Sequence, residues 1–398
     1  MAQKQIAILG STGSIGQSTL RIVESYPERF VVASLAAGRN LDAAFEQTSR
    51  FRPSVVSMST EELAAALDTR LKAEGIAGIE VVSGTAGTVR VATLPEVDFV
   101  VSAIVGVAGL EATYAAVKAG KQIGLANKEA MVAAGDLLNI AARANNVRLL
   151  PIDSEHNAIH QCMRAGTLPE VKQIWLTASG GPFRTTPLAD FAKITVAQAL
   201  HHPTWKMGQR ITIDSATMLN KGLEIIEACR LFDLPPSAVK VTVHPQSTVH
   251  SLVEYVDGSL LAQISVTDMR LPILYAMTWP ERVPSDLTFN MATLSQLTFE
   301  TPDFERFPCL RLAYEAAEQG GAHTIALNAA DEIAVEAFLT EKIPFLGIPR
   351  TIEQVLAETP VCQPRSIAEV LALDEQARET ARRVLAQKPA AVAATTVR

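Results

Sequence analysis

The sequence predicts an α/β protein with an N-terminal doubly wound parallel sheet, a central α+β region and a C-terminal helical bundle. Three observations predict it. Short apolar runs alternate with amphipathic stretches up to about residue 150, the pattern of buried strands joined by helical crossovers. Between about 239 and 266, β-rich segments flank Asp257-Gly258, a pair suited to a hairpin turn. Beyond 305, apolar residues recur at three- and four-residue spacing.

In chain order, the runs 6–9, 31–35, 54–58, 97–103 and 122–126 read as strands, with helices over 17–26 and 109–119 between them. Strands this apolar belong in a sheet covered on both faces, which defines a doubly wound domain over 1–150. Segments 239–243, 248–256 and 259–266 are the strands of a domain over 151–279, and an accessible sheet edge there suits subunit pairing. Pro280, Pro284 and Pro302 interrupt all periodicity, so 280–304 reads as a linker crossing the molecule. Helices over 310–317, 326–339, 352–358 and 367–386 fill a domain over 305–398, and the small residues from Lys388 onward form a frayed tail.

At 398 residues the chain exceeds what one hydrophobic core usually supports. Hydrophobic and charged contents of 48% and 19% exclude large-scale disorder. The net charge of -7 argues against a general nucleic-acid surface. Cys162, Cys229, Cys309 and Cys362 have no CxxC spacing, which offers no zinc motif and fits a reducing compartment. A strand begins almost at once, leaving no room for a signal peptide, and no run reaches the ~18 apolar residues of a membrane span. A cytoplasmic location is expected.

The chemistry-bearing motifs start at Gly10-Ser11-Thr12-Gly13-Ser14-Ile15-Gly16, between the first strand and the first helix. Its glycines permit a tight turn and close approach of a pyrophosphate to the helix N-terminus, as in Rossmann-like domains. The second strand runs into Gly38-Arg39-Asn40, with no acid to accept a ribose hydroxyl; Arg39 either meets a 2′-phosphate, favouring NADPH, or is a solvated surface group. Asn127-Lys128-Glu129 follows the strand over 122–126, where open α/β sheets bind ligands, and is equally compatible with ordinary helix capping.

Asp153 and Glu155 lie two residues apart after the apolar run 147–152; they are either a solvated acidic pair or, on extended backbone that puts them on one side, two ligands of one cation. Glu224, on a helix read as starting near Gly222, supplies a third carboxylate, and three carboxylates suit Mg²⁺ or Mn²⁺. Ala178-Ser179-Gly180-Gly181, Asp214-Ser215-Ala216-Thr217 and Asn220-Lys221 offer hydroxyls, an amide, an ammonium and exposed N–H groups to a phosphate. The segment 201–208, with Trp205 and Met207, is either a lid that packs on ligand or a loop pinned by Trp205. His244 and His250 read as satisfied sheet residues rather than catalytic groups, and stay open as supports behind the site.

Together these motifs resemble one family closely: the 1-deoxy-D-xylulose 5-phosphate reductoisomerases. The resemblance covers essentially the whole chain and rests on GSTGSIG at 10–16, LANKE at 125–129, PIDSEHNA at 151–158, ASGGPF at 178–183, HPTWKMG at 202–208, IDSATMLNKGLE at 213–224 and HPQSTVHS at 244–251. It implies conversion of 1-deoxy-D-xylulose 5-phosphate to 2-C-methyl-D-erythritol 4-phosphate in non-mevalonate isoprenoid synthesis. A metal-assisted skeletal rearrangement would precede hydride delivery from NADPH. By the same resemblance Thr12, Gly13, Ser14, Ile15, Gly38, Arg39 and Asn40 hold NADPH, joined by Asn127, Glu129 and Gly208. Asp153, Glu155 and Glu224 ligate Mg²⁺ or Mn²⁺; Ser179, Ser215, Asn220 and Lys221 take the substrate phosphate; Lys128, Ser154, His202 and Trp205 contact or cover the rest. A homodimer without membrane or nucleic-acid partners is expected. Another NADPH-dependent aldehyde dehydrogenase or reductase would explain the first domain alone, and a non-catalytic nucleotide-sensing module only the glycine loop.

Overall fold

The computed structural model describes residues 3–205 and 207–387. The tail from Lys388 and the Lys206 side of the 201–208 segment lie outside the described residues. From the N-terminus run β1 (Lys4–Leu9), α1 (Ser14–Ser25), β2 (Phe30–Ala36), α2 (Leu41–Phe51), β3 (Val55–Met58), α3 (Glu61–Ala73), β4 (Glu80–Ser83), α4 (Gly84–Ala92), β5 (Phe99–Ser102), α5 (Leu110–Lys118), β6 (Gln122–Leu125), α6 (Lys128–Ala144) and β7 (Leu149–Pro151). These strands form one parallel sheet in the order β4-β3-β2-β1-β5-β6-β7. Ile6, Ile8, Val56, Phe99 and Val101 are almost wholly buried, as in a sheet with helices on both faces. The doubly wound expectation is met. β4 escapes the sequence reading because four half-exposed residues carry no apolar run.

Next come α7 (Ser154–Cys162), β8 (Val171–Ala178), α8 (Val196–Ala199), α9 (Gln209–Ala216), α10 (Leu219–Phe232), β9 (Val239–Val243), β10 (Val249–Tyr255), β11 (Leu260–Ile264) and α11 (Arg270–Thr278). The second sheet has the order β11-β10-β8-β9. Its β10–β11 hairpin turns at Gly258, whose φ of 86° suits glycine. The sheet is mixed: β8 pairs antiparallel with β10 and parallel with β9. Residues 280–304 carry one short 3₁₀ turn and an isolated bridge between Val243 and Glu300.

The chain ends in α12 (Pro308–Gln319), α13 (Ala322–Leu339), α14 (Gly347–Glu358) and α15 (Ile367–Ala386). α13 is buried nearly all round, and Phe183, Phe191, Phe307, Phe338 and Phe345 interlock edge to face with ring centroids 5.3–6.2 Å apart. Two compact units result: residues 1–179 with 223–302, and residues 180–222 with 303–398. No helix of the described residues is long and apolar enough to cross a membrane.

Candidate active site

In the first unit every parallel strand ends at the same sheet edge, and the strand order reverses between β1 and β5, where doubly wound folds bind nucleotides. The glycine loop follows β1. Its Gly10 and Ser11 amides donate to the Ala36 carbonyl at 2.8 and 2.9 Å, and Gln17 Nε2 donates to the Thr12 carbonyl at 2.8 Å. Gly10 has φ 86°, and a Cβ there would lie 2.6 Å from the Ala103 oxygen; one on Gly16 would lie 2.4 Å from the Gly10 oxygen. Gly13 precedes α1 without a side-chain cap, and the first turn holds no acid. Exposed Gly13 and Ser14 therefore present N–H groups at a positive helix end, while Ile15 packs on the core.

Gly38, Arg39 and Asn40 follow β2 and are all exposed. Asn40 caps α2, its Oδ1 accepting from the Ala43 amide at 3.0 Å. Asn127 is likewise a cap: Oδ1 accepts from the Ala130 amide at 3.1 Å, and Nδ2 donates to the Gly106 carbonyl at 3.0 Å. Capping and ligand binding are compatible for both, since each side chain stands at the edge that carries the glycine loop. Glu129 lies half-buried in the first turn of α6.

The same edge holds the acidic cluster. Buried Lys128 donates from Nζ to Asp153 Oδ2 at 2.7 Å and to Glu224 Oε1 at 3.1 Å, so two carboxylates from different elements already converge on one cation. Burial alone would lower the Lys128 pKa, but Asp153, Glu224 and Glu227 hold it well above the ordinary value. Asp153, His156 and Glu224 offer ligand atoms within 4.8 Å of one another. His156 Nε2 donates to the Glu224 carbonyl at 2.9 Å, and Nδ1 lies 3.3 Å from Asp153 Oδ1 and 3.4 Å from Glu227 Oε2. With both ring nitrogens facing protein acceptors, His156 braces the carboxylates. Burial opposes its charge, yet Glu227 and Asp153 raise it to about 9; burial pushes Glu227 up to about 7 against the pull of His156.

The extended geometry expected of Asp153 and Glu155 is not found. β7 ends at Pro151, Asp153 caps α7 by accepting from the Glu155 amide at 3.1 Å, and Glu155 lies in the first helical turn. Positions two apart at a helix start do not share a face. The Glu155 carboxylate accepts from Ser154 Oγ at 2.5 Å. Sequence reasoning also missed His156 and Glu227. The signal was three-residue spacing from Asp153 and from Glu224, which places each pair on one face of its helix.

Ser179 follows β8 in the first unit. In the second unit, Gly181 has φ 65° and a Cβ there would lie 2.6 Å from the Ser215 oxygen, so the glycine pair and the Ser215 turn meet closely. His202 Nδ1 accepts from the Thr204 and Trp205 amides at 3.1 and 2.9 Å, so its proton sits on Nε2, which donates to Ser215 Oγ at 3.0 Å. Burial lowers the His202 pKa, keeping the ring neutral. Trp205 is half-buried, and Gly208 precedes α9. α10 begins at Leu219, three residues before the expected start, because positive-φ Met218 makes the turn from α9. Asn220, buried Lys221 and Glu224 therefore share one helix, the first two in its opening turn. His244 is satisfied: Nδ1 donates to the Thr298 carbonyl at 2.8 Å, and Nε2 accepts from the Thr248 and Val249 amides.

Family models match three stretches of the chain: 1-deoxy-D-xylulose 5-phosphate reductoisomerase over residues 6–135, its C-terminal domain over 149–232, and the DXP reductoisomerase C-terminal domain over 264–380. The 1-deoxy-D-xylulose 5-phosphate reductoisomerase of Solibacter usitatus is 50% identical over 383 residues, 95% of this chain and 96% of that one. That of Anaeromyxobacter sp. is 52% identical over 380 residues, again 95% and 96%. The Zymomonas mobilis enzyme in complex with NADPH superposes with a TM-score of 0.91 at 42% identity, covering 97% of this chain and 100% of that one. A DOX-P reductoisomerase in complex with NADPH, fosmidomycin and magnesium gives 0.90 at 42% identity, covering 96% and 98%. The chain belongs to the 1-deoxy-D-xylulose 5-phosphate reductoisomerase family.

Proposed function

We propose that this chain converts 1-deoxy-D-xylulose 5-phosphate to 2-C-methyl-D-erythritol 4-phosphate, by skeletal rearrangement followed by NADPH-dependent reduction, in isoprenoid biosynthesis. The Lys128-bridged pair of Asp153 and Glu224, at the sheet edge that also carries the glycine loop, is the observation that carries it.

The residues suit both absent groups. Oxygen donors on Asp153, Glu224 and neighbouring Glu155 fit a hard divalent cation, Mg²⁺ or Mn²⁺. When bound, that cation supplies Lewis-acid polarisation of a carbonyl, and NADPH supplies hydride. The uncapped α1 terminus and Thr12, Gly13, Ser14 and Ile15 receive the pyrophosphate, and Gly38, Arg39 and Asn40 the 2′-phosphate end. Asn127, Glu129 and Gly208 serve the nicotinamide side. Lys128, held protonated, donates to substrate oxygen alongside Ser154. Ser179, Ser215, Asn220 and Lys221 bind the phosphate. Because His202 Nε2–H donates a hydrogen bond to Ser215 Oγ, the Ser215 hydroxyl proton is directed to another acceptor. Trp205 and the rest of 201–208 close over bound substrate and exclude water.

In domain terms, residues 1–150 bind the cofactor, 151–279 carry the acids and the pairing edge, 280–304 link, and 305–398 form the helical support. We place the protein in the cytoplasm, where its four unpaired cysteines stay reduced, as a homodimer.

The experiment follows NADPH consumption with 1-deoxy-D-xylulose 5-phosphate. Turnover requires substrate and divalent metal together; chelator abolishes it, and Mg²⁺ or Mn²⁺ restores it. Full activity after exhaustive metal removal, or no consumption with this substrate, sinks the reading.

A further inference from the structure

We propose that Arg210 is a positioning residue that locks α9, and with it Ser215, for phosphate binding; the inference rests on the function proposed above. Arg210 is the second residue of α9, which follows Gly208 and ends one residue after Ser215. Its guanidinium grips α13: Nη1 donates to Glu332 Oε1 at 2.8 Å, and Nη2 donates to Asn328 Oδ1 at 2.8 Å and Asp331 Oδ2 at 3.2 Å. Nε lies 3.7 Å from Asp214 Oδ2, one turn along α9 itself. Glu332 also accepts from Arg378 of α15, which in turn grips Asp374. Two guanidinium groups thus hold four carboxylates and tie three helices together. Burial pushes Asp331 up to about 6 even with Arg210 beside it, so removing Arg210 drives this carboxyl further toward its protonated form and leaves the tie between α9 and α13 unmade.

The anchored helix cannot hold itself. α9 has eight residues, no side-chain cap and no acid in its first turn, far below the length at which a helix is stable alone. Both its ends carry function: the 201–208 segment enters at Gly208, and Ser215 takes the His202 hydrogen bond. The guanidinium fork fixes angle as well as distance, which one ammonium cannot do.

The test compares Arg210→Met, which keeps the apolar stem, with Arg210→Lys, Glu332→Gln and Ser215→Ala in the full-length protein. Arg210→Met is expected to lower kcat/KM for 1-deoxy-D-xylulose 5-phosphate on the order of tenfold or more, mainly through KM, with the KM for NADPH unchanged. Arg210→Lys recovers part of the loss. In a Ser215→Ala background, Arg210→Met costs under about threefold more, because it acts through Ser215. Amide hydrogen exchange over 209–216 rises in Arg210→Met and, more weakly, in Glu332→Gln, the variant that decides should Arg210→Met not fold. A lower melting temperature with unchanged substrate KM, multiplying penalties in the double variant, or unchanged exchange over 209–216 overturns the proposal. A wild type inert towards this substrate defeats the functional reading instead, while the exchange measurement still decides whether Arg210 anchors α9.

Discussion

Under the proposed function, Arg39 is the residue expected to set cofactor choice. β2 ends in Ala36 and is followed by Ala37 and Gly38, so no acid faces a ribose hydroxyl there, and the Asn40 side chain is committed to capping α2. Arg39 is left as the exposed cation at that strand end. NADPH should therefore be preferred over NADH, and Arg39→Asp should narrow the preference by about tenfold or more, read from kcat/KM with each cofactor. Equal use of both by the wild type would remove the role. His160 governs acid stability instead. It packs edge-on against Trp279 and meets the Tyr275 hydroxyl at 2.9 Å; burial first, then the Arg164 charge, lowers its pKa to about 4. The folded state thus binds this proton less readily than the unfolded chain, whose histidine titrates near 6.5. The stabilisation is full above about 6.5 and is lost as pH falls from there to about 4, roughly 3 kcal/mol in all. Urea unfolding between pH 7 and 4 should show that loss in the wild type and a flatter limb in His160→Gln. The acidic motif at 153–155 was legible from sequence, but its geometry was not: Asp153 and Glu155 read as extended neighbours because the apolar run before them outweighed the capping tendency of Asp153, whereas β7 ends at Pro151.

Among elements, the 201–208 segment lacks helix and strand throughout its described residues, and the His202 ring gathers the Thr204 and Trp205 amides and reaches Ser215. A segment without regular structure gains contacts readily when ligand binds. A phosphonate bearing a hydroxamate should therefore change Trp205 fluorescence, and Trp205→Ala should weaken its binding by about 2 kcal/mol, the scale of a lost aromatic anchor. Unaltered fluorescence together with unaltered affinity would make this a static loop. Periodicity located the long elements well, because α15 buries a regular stripe over many turns and α13 is a long apolar helix buried nearly all round. It failed at β8, where Lys172 and Gln173 interrupt the apolar run; the strand is held by pairing with β10 and β9, partners distant in sequence.

At the scale of the whole molecule, the chain passes between its two units three times, once inside α10, so a single helix carries Asn220 and Lys221 from one unit into Glu224 of the other. Such discontinuity is invisible to a reading that cuts a sequence into consecutive pieces. The second sheet leaves one feature for assembly. β11 is its terminal strand, paired only with β10, and its sequence Leu-Leu-Ala-Gln-Ile carries neither charge nor proline. Leu260 is 52% exposed, Leu261 38% and nearby Val256 64%. An uncharged, apolar strand edge without a proline is what isolated proteins avoid and two-fold dimers use. Sedimentation at micromolar concentration should therefore give the mass of a dimer. Replacing both leucines, Leu260→Lys with Leu261→Lys, sets like charges across the two-fold axis and should halve that mass while leaving the far-ultraviolet circular dichroism intact, since neither side chain belongs to the core. A monomeric wild type would dismiss the dimer, and a folded double variant that still sediments as a dimer would move the interface away from β11.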